Sequence, residues 1–100
     1  MNHPRHQLDE ALLTPVRLSL MAALAEANNA DFATLRELLD VADSPLSKAI
    51  SHLQAIGYLR VEKRTLGGRA RTWVAATGDG RRALAAHVAA LQAITGGRPG

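Results

Sequence analysis

Apolar residues recur first at helical spacing and then, after residue 57, in strict alternation. Leu8, Leu12 and Leu13 predict a short amphipathic helix over about residues 6–13, stopped at Thr14-Pro15. Thr14 as N-cap and Pro15 at the first helical position open a second helix, whose dense apolar set (Val16, Leu18, Leu20, Met21, Leu24, Ala25) predicts deep burial before Asn28-Asn29 end it. Asp31-Phe32-Ala33 is too short for an independent element, although it could form an edge strand. Thr34 followed by Glu37 reads as a capping box, with Leu35, Leu38 and Leu39 inward. A turn over residues 40–43 leads to Ser44 as cap and Pro45 as first residue of another helix, ended by Gly57 just after Ile56.

From Tyr58 the pattern alternates, with Leu59 and Val61 on one side and Arg60 and Glu62 on the other. Leu66-Gly67-Gly68-Arg69 predicts a hairpin turn, and residues 70–76 a second strand. Thr77 caps a last helix (about 77–95) carrying Leu84, Val88, Leu91 and Ile94, and Gly96 to Gly100 form a frayed tail. The order is helix, helix, helix, helix, hairpin, helix: a mainly α, single-domain chain (1–100) with a two-stranded β-hairpin wing, the winged helix-turn-helix arrangement.

Charge sharpens this picture. Residues 1–43 hold three arginines against seven acids, whereas residues 44–82 hold eight lysines and arginines against two acids. A basic block in a chain of net charge +3 suits a polyanion-binding surface. On a 3.6-residue wheel, Leu46, Ala49, Ile50, Leu53 and Ile56 face the core, leaving Ser47, Lys48, Ser51, His52, Gln54 and Ala55 outward. This outer face has small hydroxyls, one lysine and no acid, so it approaches a phosphate-lined groove without repulsion. Ser44, Ser47, Lys48 and Ser51, nearest the helix N-terminus, are the candidate base readers, and His52 a phosphate contact. Lys63, Arg64, Arg69 and Arg71 crowd around the Gly67-Gly68 tip, where mutual repulsion is relieved by a negative partner.

Composition removes other classes. With no cysteine there are no disulfides, thiolate metal sites or cysteine nucleophiles. His3 and His6 read as a solvated pair, and His87 as a surface or dimer-interface residue, so no metal or other cofactor is expected. No Ser-His-Asp set, carboxylate pair or phosphate loop is present, which argues against an enzyme. No apolar run reaches membrane-spanning length and no signal segment opens the chain, so a cytoplasmic protein is expected. An aromatic content of 3% implies a thin aliphatic core that gains from oligomerisation. The apolar stripes of the terminal helices (Leu8, Leu12, Leu84, Val88, Leu91, Ile94) are the expected homodimer interface. With a four-residue tip from Leu66 to Arg69, Val74 faces Val61 on the core side and Trp73 faces Glu62 outside; Trp73 then covers a partner surface, or the last helix folds over it.

The segments Thr14-Pro15-Val16-Arg17-Leu18, Phe32 to Leu39, Leu46 to Leu53, Gly57 to Val61, Gly68 to Trp73 and Thr77 to Arg81 together resemble, in order and over most of the chain, the small MarR/ArsR-like winged-helix regulators. The resemblance implies that the helix beginning at Pro45 reads the DNA major groove, that the hairpin flanks it, and that the terminal helices form the dimer. It implies a sequence-specific regulator, a repressor acting on a palindromic operator. The alternative function is a winged helix for protein or RNA binding without operator specificity. The chain departs from metal-sensing members, since its last helix offers only Asp79 and His87. It also lacks the longer terminal helices that frame a ligand pocket in larger members, so a small-molecule effector is possible but not evident.

Overall fold

The computed structural model describes residues 3–96. Two 3-10 turns, Pro4–Gln7 and Glu10–Leu12, precede α1 (Pro15–Glu26), β1 (Ala30–Asp31), α2 (Phe32–Leu39), α3 (Asp43–Ala55), β2 (Leu59–Leu66), β3 (Arg69–Ala76) and α4 (Gly78–Thr95). The strands form one antiparallel sheet in the order β1-β3-β2. The expected winged helix-turn-helix architecture is present, with the short segment at residue 31 serving as an edge strand on the wing. Residues 97–100 of the expected tail lie outside the described residues. Among the described residues no helix is long and apolar enough to cross a membrane.

Local chemistry explains the boundaries, including those the sequence pattern misplaced. The expected helix over residues 6–13 is instead the two 3-10 turns. Asp9, in an extended conformation, interrupts it and spends its side chain capping Ala11 N–H at 2.9 Å. α1 begins as expected, with the Thr14 hydroxyl accepting from Arg17 N–H and Pro15 at the first position. α2 starts before the Thr34 box: Asp31 is the cap, its Oδ1 accepting from Thr34 N–H at 2.9 Å. The resulting stripe Phe32, Leu35, Leu39 faces inward, and Leu38 falls off it, 67% exposed. α3 starts at Asp43 with Ala42 as cap residue, not at Ser44. Asp43 supplies the favourable first-turn acid and is itself held by Arg36 at 2.8 Å. Ile56, expected inward, is the C-cap residue of α3 and lies exposed at the helix end.

The core is a single cluster: Leu20, Met21 and Leu24 of α1 meet Leu35, then Leu46, Ala49, Ile50 and Leu53 of α3, Leu59 and Val74 of the sheet, and Leu84 of α4. Leu12 enters the same cluster from the N-terminal segment, fully buried. Two polar devices tie α4 to the rest. Arg81 donates to the carbonyls of Leu24, Ala25 and Ala27, satisfying acceptors that the end of α1 leaves without intrahelical partners. Gly80 lets α4 close onto the chain between α3 and β2, where a Cβ would sit 2.2 Å from the Tyr58 carbonyl oxygen.

His87 is buried in α4, where its Nδ1 accepts from Asp9 N–H at 3.0 Å, so it is not the surface or interface residue expected. The Tyr58 hydroxyl donates to the Asp9 carboxylate at 2.5 Å. That bond, with burial and the negative charge of Asp9, pushes the Tyr58 phenol up to about 12.

Candidate nucleic-acid interface

α3 buries Leu46, Ala49, Ile50 and Leu53 and exposes Ser44, Ser47, Lys48, Ser51, His52 and Gln54. From Ser44 onward the exposed face carries no acid, and the one acid of its first turn, Asp43, is paired with Arg36. The helix separates two open grooves. On one flank, a groove of about 480 Å³ runs between α3 and the wing, with Ser47, Ser51 and Gln54 facing Lys63 and Thr72 over a floor of Phe32, Ile50 and Val61. On the other, a groove of about 370 Å³ places Lys48 and His52 beside Thr14, Val16 and Arg17 at the start of α1. Ser47 and Lys48, adjacent in sequence, thus serve different grooves.

The wing has two chemically distinct faces, fixed by strand register. Val61 pairs with Val74 and Lys63 with Thr72 on the face turned to α3, while Glu62 pairs with Trp73 and Arg64 with Arg71 on the other. Gly67 and Gly68 both take positive φ (59° and 77°) to close the two-residue turn, leaving Leu66 and Arg69 exposed at the tip. The sequence grouped four wing cations as one DNA-contacting set, and the structure divides them. Lys63 lies in the α3 groove and Arg69 at the tip.

Arg64 and Arg71 are engaged on the far face. Arg64 bonds Glu62 at 3.0 Å, holding that carboxyl below its usual range, and stacks over the Trp73 ring at 5.5 Å. Arg71 reaches Asp31 at 3.3 Å. The Asp31 carboxyl is held below its usual value, first by the Thr34 hydrogen bonds and less by Arg71, against the opposing effect of burial. Arg64 and Arg71, each half exposed, are thus paired with acids on their own face of the wing. Among the described residues, Lys48, Lys63 and Arg69 have no such ion pair.

Of the six residues expected at a dimer interface, Leu12 and Leu84 are buried in the chain's own core, which removes them from that surface. Leu8 and Leu91 are half-buried, and Val88 and Ile94 stand exposed. Trp73 is half-buried under Arg64 rather than under α4, on the outer face opposite Glu62 as the four-residue tip implies. Gln54 and Thr72 join the α3–wing groove without having been singled out in the sequence. The stripe at 47, 51 and 54 was readable for Gln54, whereas Thr72 depended on the hairpin register.

This arrangement of an acid-free helix face beside a cationic wing is that of a winged helix-turn-helix DNA-binding domain. The winged helix DNA-binding domain family matches residues 16–95, and the chain belongs to it. Its winged helix-turn-helix fold agrees with the fold implied by the resemblance read from its segments. No curated protein matches the chain significantly.

Among solved structures it is similar to a transcriptional regulator homologue from Pyrococcus horikoshii OT3, with 26% identity over 96% of each chain and a TM-score of 0.86. The PcaV transcriptional regulator from Streptomyces coelicolor, solved with its natural ligand, shares the fold at 20% identity and TM-score 0.76 over 91% of this chain. BpsR of Bordetella bronchiseptica, whose DNA binding is regulated by 6-hydroxynicotinic acid, shares it at 20% identity and TM-score 0.73 over 92%. The chain spans 63% and 69% of the length of these last two.

Proposed function

We propose that this chain is a sequence-specific double-stranded DNA-binding transcriptional regulator, a homodimeric repressor acting on a palindromic operator. The observation that carries the reading is the exposed face of α3: Ser44, Ser47, Lys48, Ser51 and His52 without an acid among them, with the wing cation Lys63 across the groove from it. A helix presented in this way enters the major groove with its N-terminal residues toward base edges. Support for the dimer comes from Val88 and Ile94, each 38% exposed on α4, with Leu91 on the same helix and Leu8 on the N-terminal segment. The partner would be a second copy using the same surface, which matches a two-fold operator. A small-molecule effector enters this reading only by analogy with PcaV and BpsR.

Selection of bound duplexes from a random pool tests it. A palindromic consensus is expected, with replacement of Ser44 or Ser51 by alanine costing about 1–3 kcal/mol in discrimination for each lost base contact. Binding of single-stranded RNA in preference to duplex DNA, or equal loss on selected and random DNA, overturns it. Sedimentation checks the dimer: a monomer at micromolar concentration refutes it.

A further inference from the structure

A helix about 10–12 Å across fills a major groove about 12 Å wide, so the two sugar–phosphate strands walling that groove press against the two flanks of the helix. α3 has an open groove on each flank, about 480 Å³ toward the wing and about 370 Å³ toward α1. Each groove combines apolar floor with cationic or hydroxyl rim. Phe32, Ile50 and Val61 floor the first, where Lys63 and Thr72 stand opposite Ser47 and Gln54. Val16, Pro15 and Ala49 floor the second, with Lys48 and His52 at its edge. Deoxyribose is largely apolar and phosphate accepts charge-assisted hydrogen bonds, so this composition complements a backbone strand.

We infer that the two grooves each seat one strand of the duplex, with Lys63 and Thr72 gripping the strand between α3 and the wing, and Lys48 and His52 gripping the opposite strand. The inference rests on the DNA-binding reading above and assigns residues within it. It places Ser44, which lines neither groove, and Ser51, at the margin of the wing-side groove, at the base edges. It makes Ser47 and Lys48 largely backbone contacts despite their position near the N-terminus of α3. It also excludes Arg64 and Arg71 from the strand contacts, because the register turns them away from α3 and Glu62 and Asp31 hold them.

The test is the salt dependence of binding by the full chain to a mixed-sequence duplex of about 25 base pairs, followed by fluorescence anisotropy between about 50 and 300 mM salt. Each lost phosphate contact removes about 0.9 from the slope of log affinity against log salt. Lys63→Met and Lys63→Gln are each expected to flatten the slope by about 0.9 for every half-site occupied, and Lys48→Met by the same amount. Thr72→Val weakens binding equally on every sequence, and Arg64→Met leaves the slope unchanged. Thermal melting confirms that these exposed or half-exposed positions leave the fold intact.

A wild-type chain that fails to bind the duplex, or binds without salt dependence, defeats the DNA-binding reading itself. Steep wild-type salt dependence with unaltered slopes in both Lys63 variants overturns this inference alone. Equal flattening by Arg64→Met also overturns it.

Discussion

The face where α4 closes on α1 and the face made by α3 and the wing use the same residue types in opposite ways. On the first, an arginine of α4 is consumed by the protein: Arg81 is spread over three carbonyls at the end of α1. His87 takes a backbone N–H, and Asp9 links Tyr58 to the N-terminal segment. On the second, Ser44, Ser47, Lys48, Ser51, Lys63 and Arg69 are exposed, and none of these three cations is ion-paired among the described residues. Polar groups with internal partners build the fold, and cations left without them are available to a polyanion. Substitutions on the first face should therefore change stability with little change in DNA affinity per folded molecule, and those on the second the reverse.

The largest effect expected on the fold-building side is at Leu12. As a residue fully buried in the core, Leu12→Ala should cost about 2–5 kcal/mol in denaturant unfolding, by lost burial and the cavity left behind. Were Leu12 instead an interface residue, its cost would shrink as protein concentration falls below the dimer dissociation constant. A loss independent of concentration separates the two. Next comes Gly80→Ala. A Cβ 2.2 Å from the Tyr58 carbonyl oxygen forces α4 away from the junction of α3 and β2, and overpacking of this kind costs about 1–3 kcal/mol. The melting temperature should fall while the salt slope of DNA binding in the folded protein is retained.

These two positions also mark how far the sequence could be read. Period and punctuation gave the order of elements, the α3 face and the hairpin turn, because buried stripes, Pro15 and the Gly67-Gly68 pair are local signals. Gly80 carried no such signal, since its role is a close approach between segments far apart in sequence. The same holds for His87, whose partner Asp9 lies 78 residues away, and for Arg71, whose partner Asp31 lies 40 away. The start of α2 was misread because two capping signals overlap, and the residue that also reaches the wing prevailed. Counting cations around the wing found a basic region. The pairing of 62 with 73 was legible from the four-residue tip, but the partners Glu62 and Asp31 that hold Arg64 and Arg71 were not.

A smaller loss is expected at Arg81. Arg81→Met keeps the hydrocarbon stem but returns three α1 carbonyls to solvent, at an exposed position where water replaces much of the bonding. The cost should be about 1 kcal/mol by chemical denaturation. Retention of full stability would mean that α1 needs no cap from α4, and would weaken the contrast between the two faces.

The smallest effect concerns Asp31, which combines a fold-building role with a wing contact because it caps α2 and pairs with the wing arginine Arg71. Its carboxyl is held below its ordinary value in the folded chain, chiefly by the Thr34 bonds. A carboxyl with a lowered folded pKa favours the folded state above its unfolded value, about 3.9. That contribution fades as pH falls toward the folded value and is gone below it. Asp31→Asn keeps an oxygen to accept from Thr34 N–H but removes the titration and the pairing with Arg71. The variant should be less stable than the parent at pH 7 by a fraction of a kcal/mol, in line with an ion pair whose arginine is half exposed. The difference should shrink as the solution is acidified below pH 4 and vanish below the folded pKa of Asp31. Denaturation midpoints of the two proteins measured from pH 7 downward give the comparison directly. Curves that stay parallel through the acid range would show that Asp31 draws no net stabilisation from its charge. The joint between α2 and the wing would then rest on the β1–β3 pairing and the packing of Phe32.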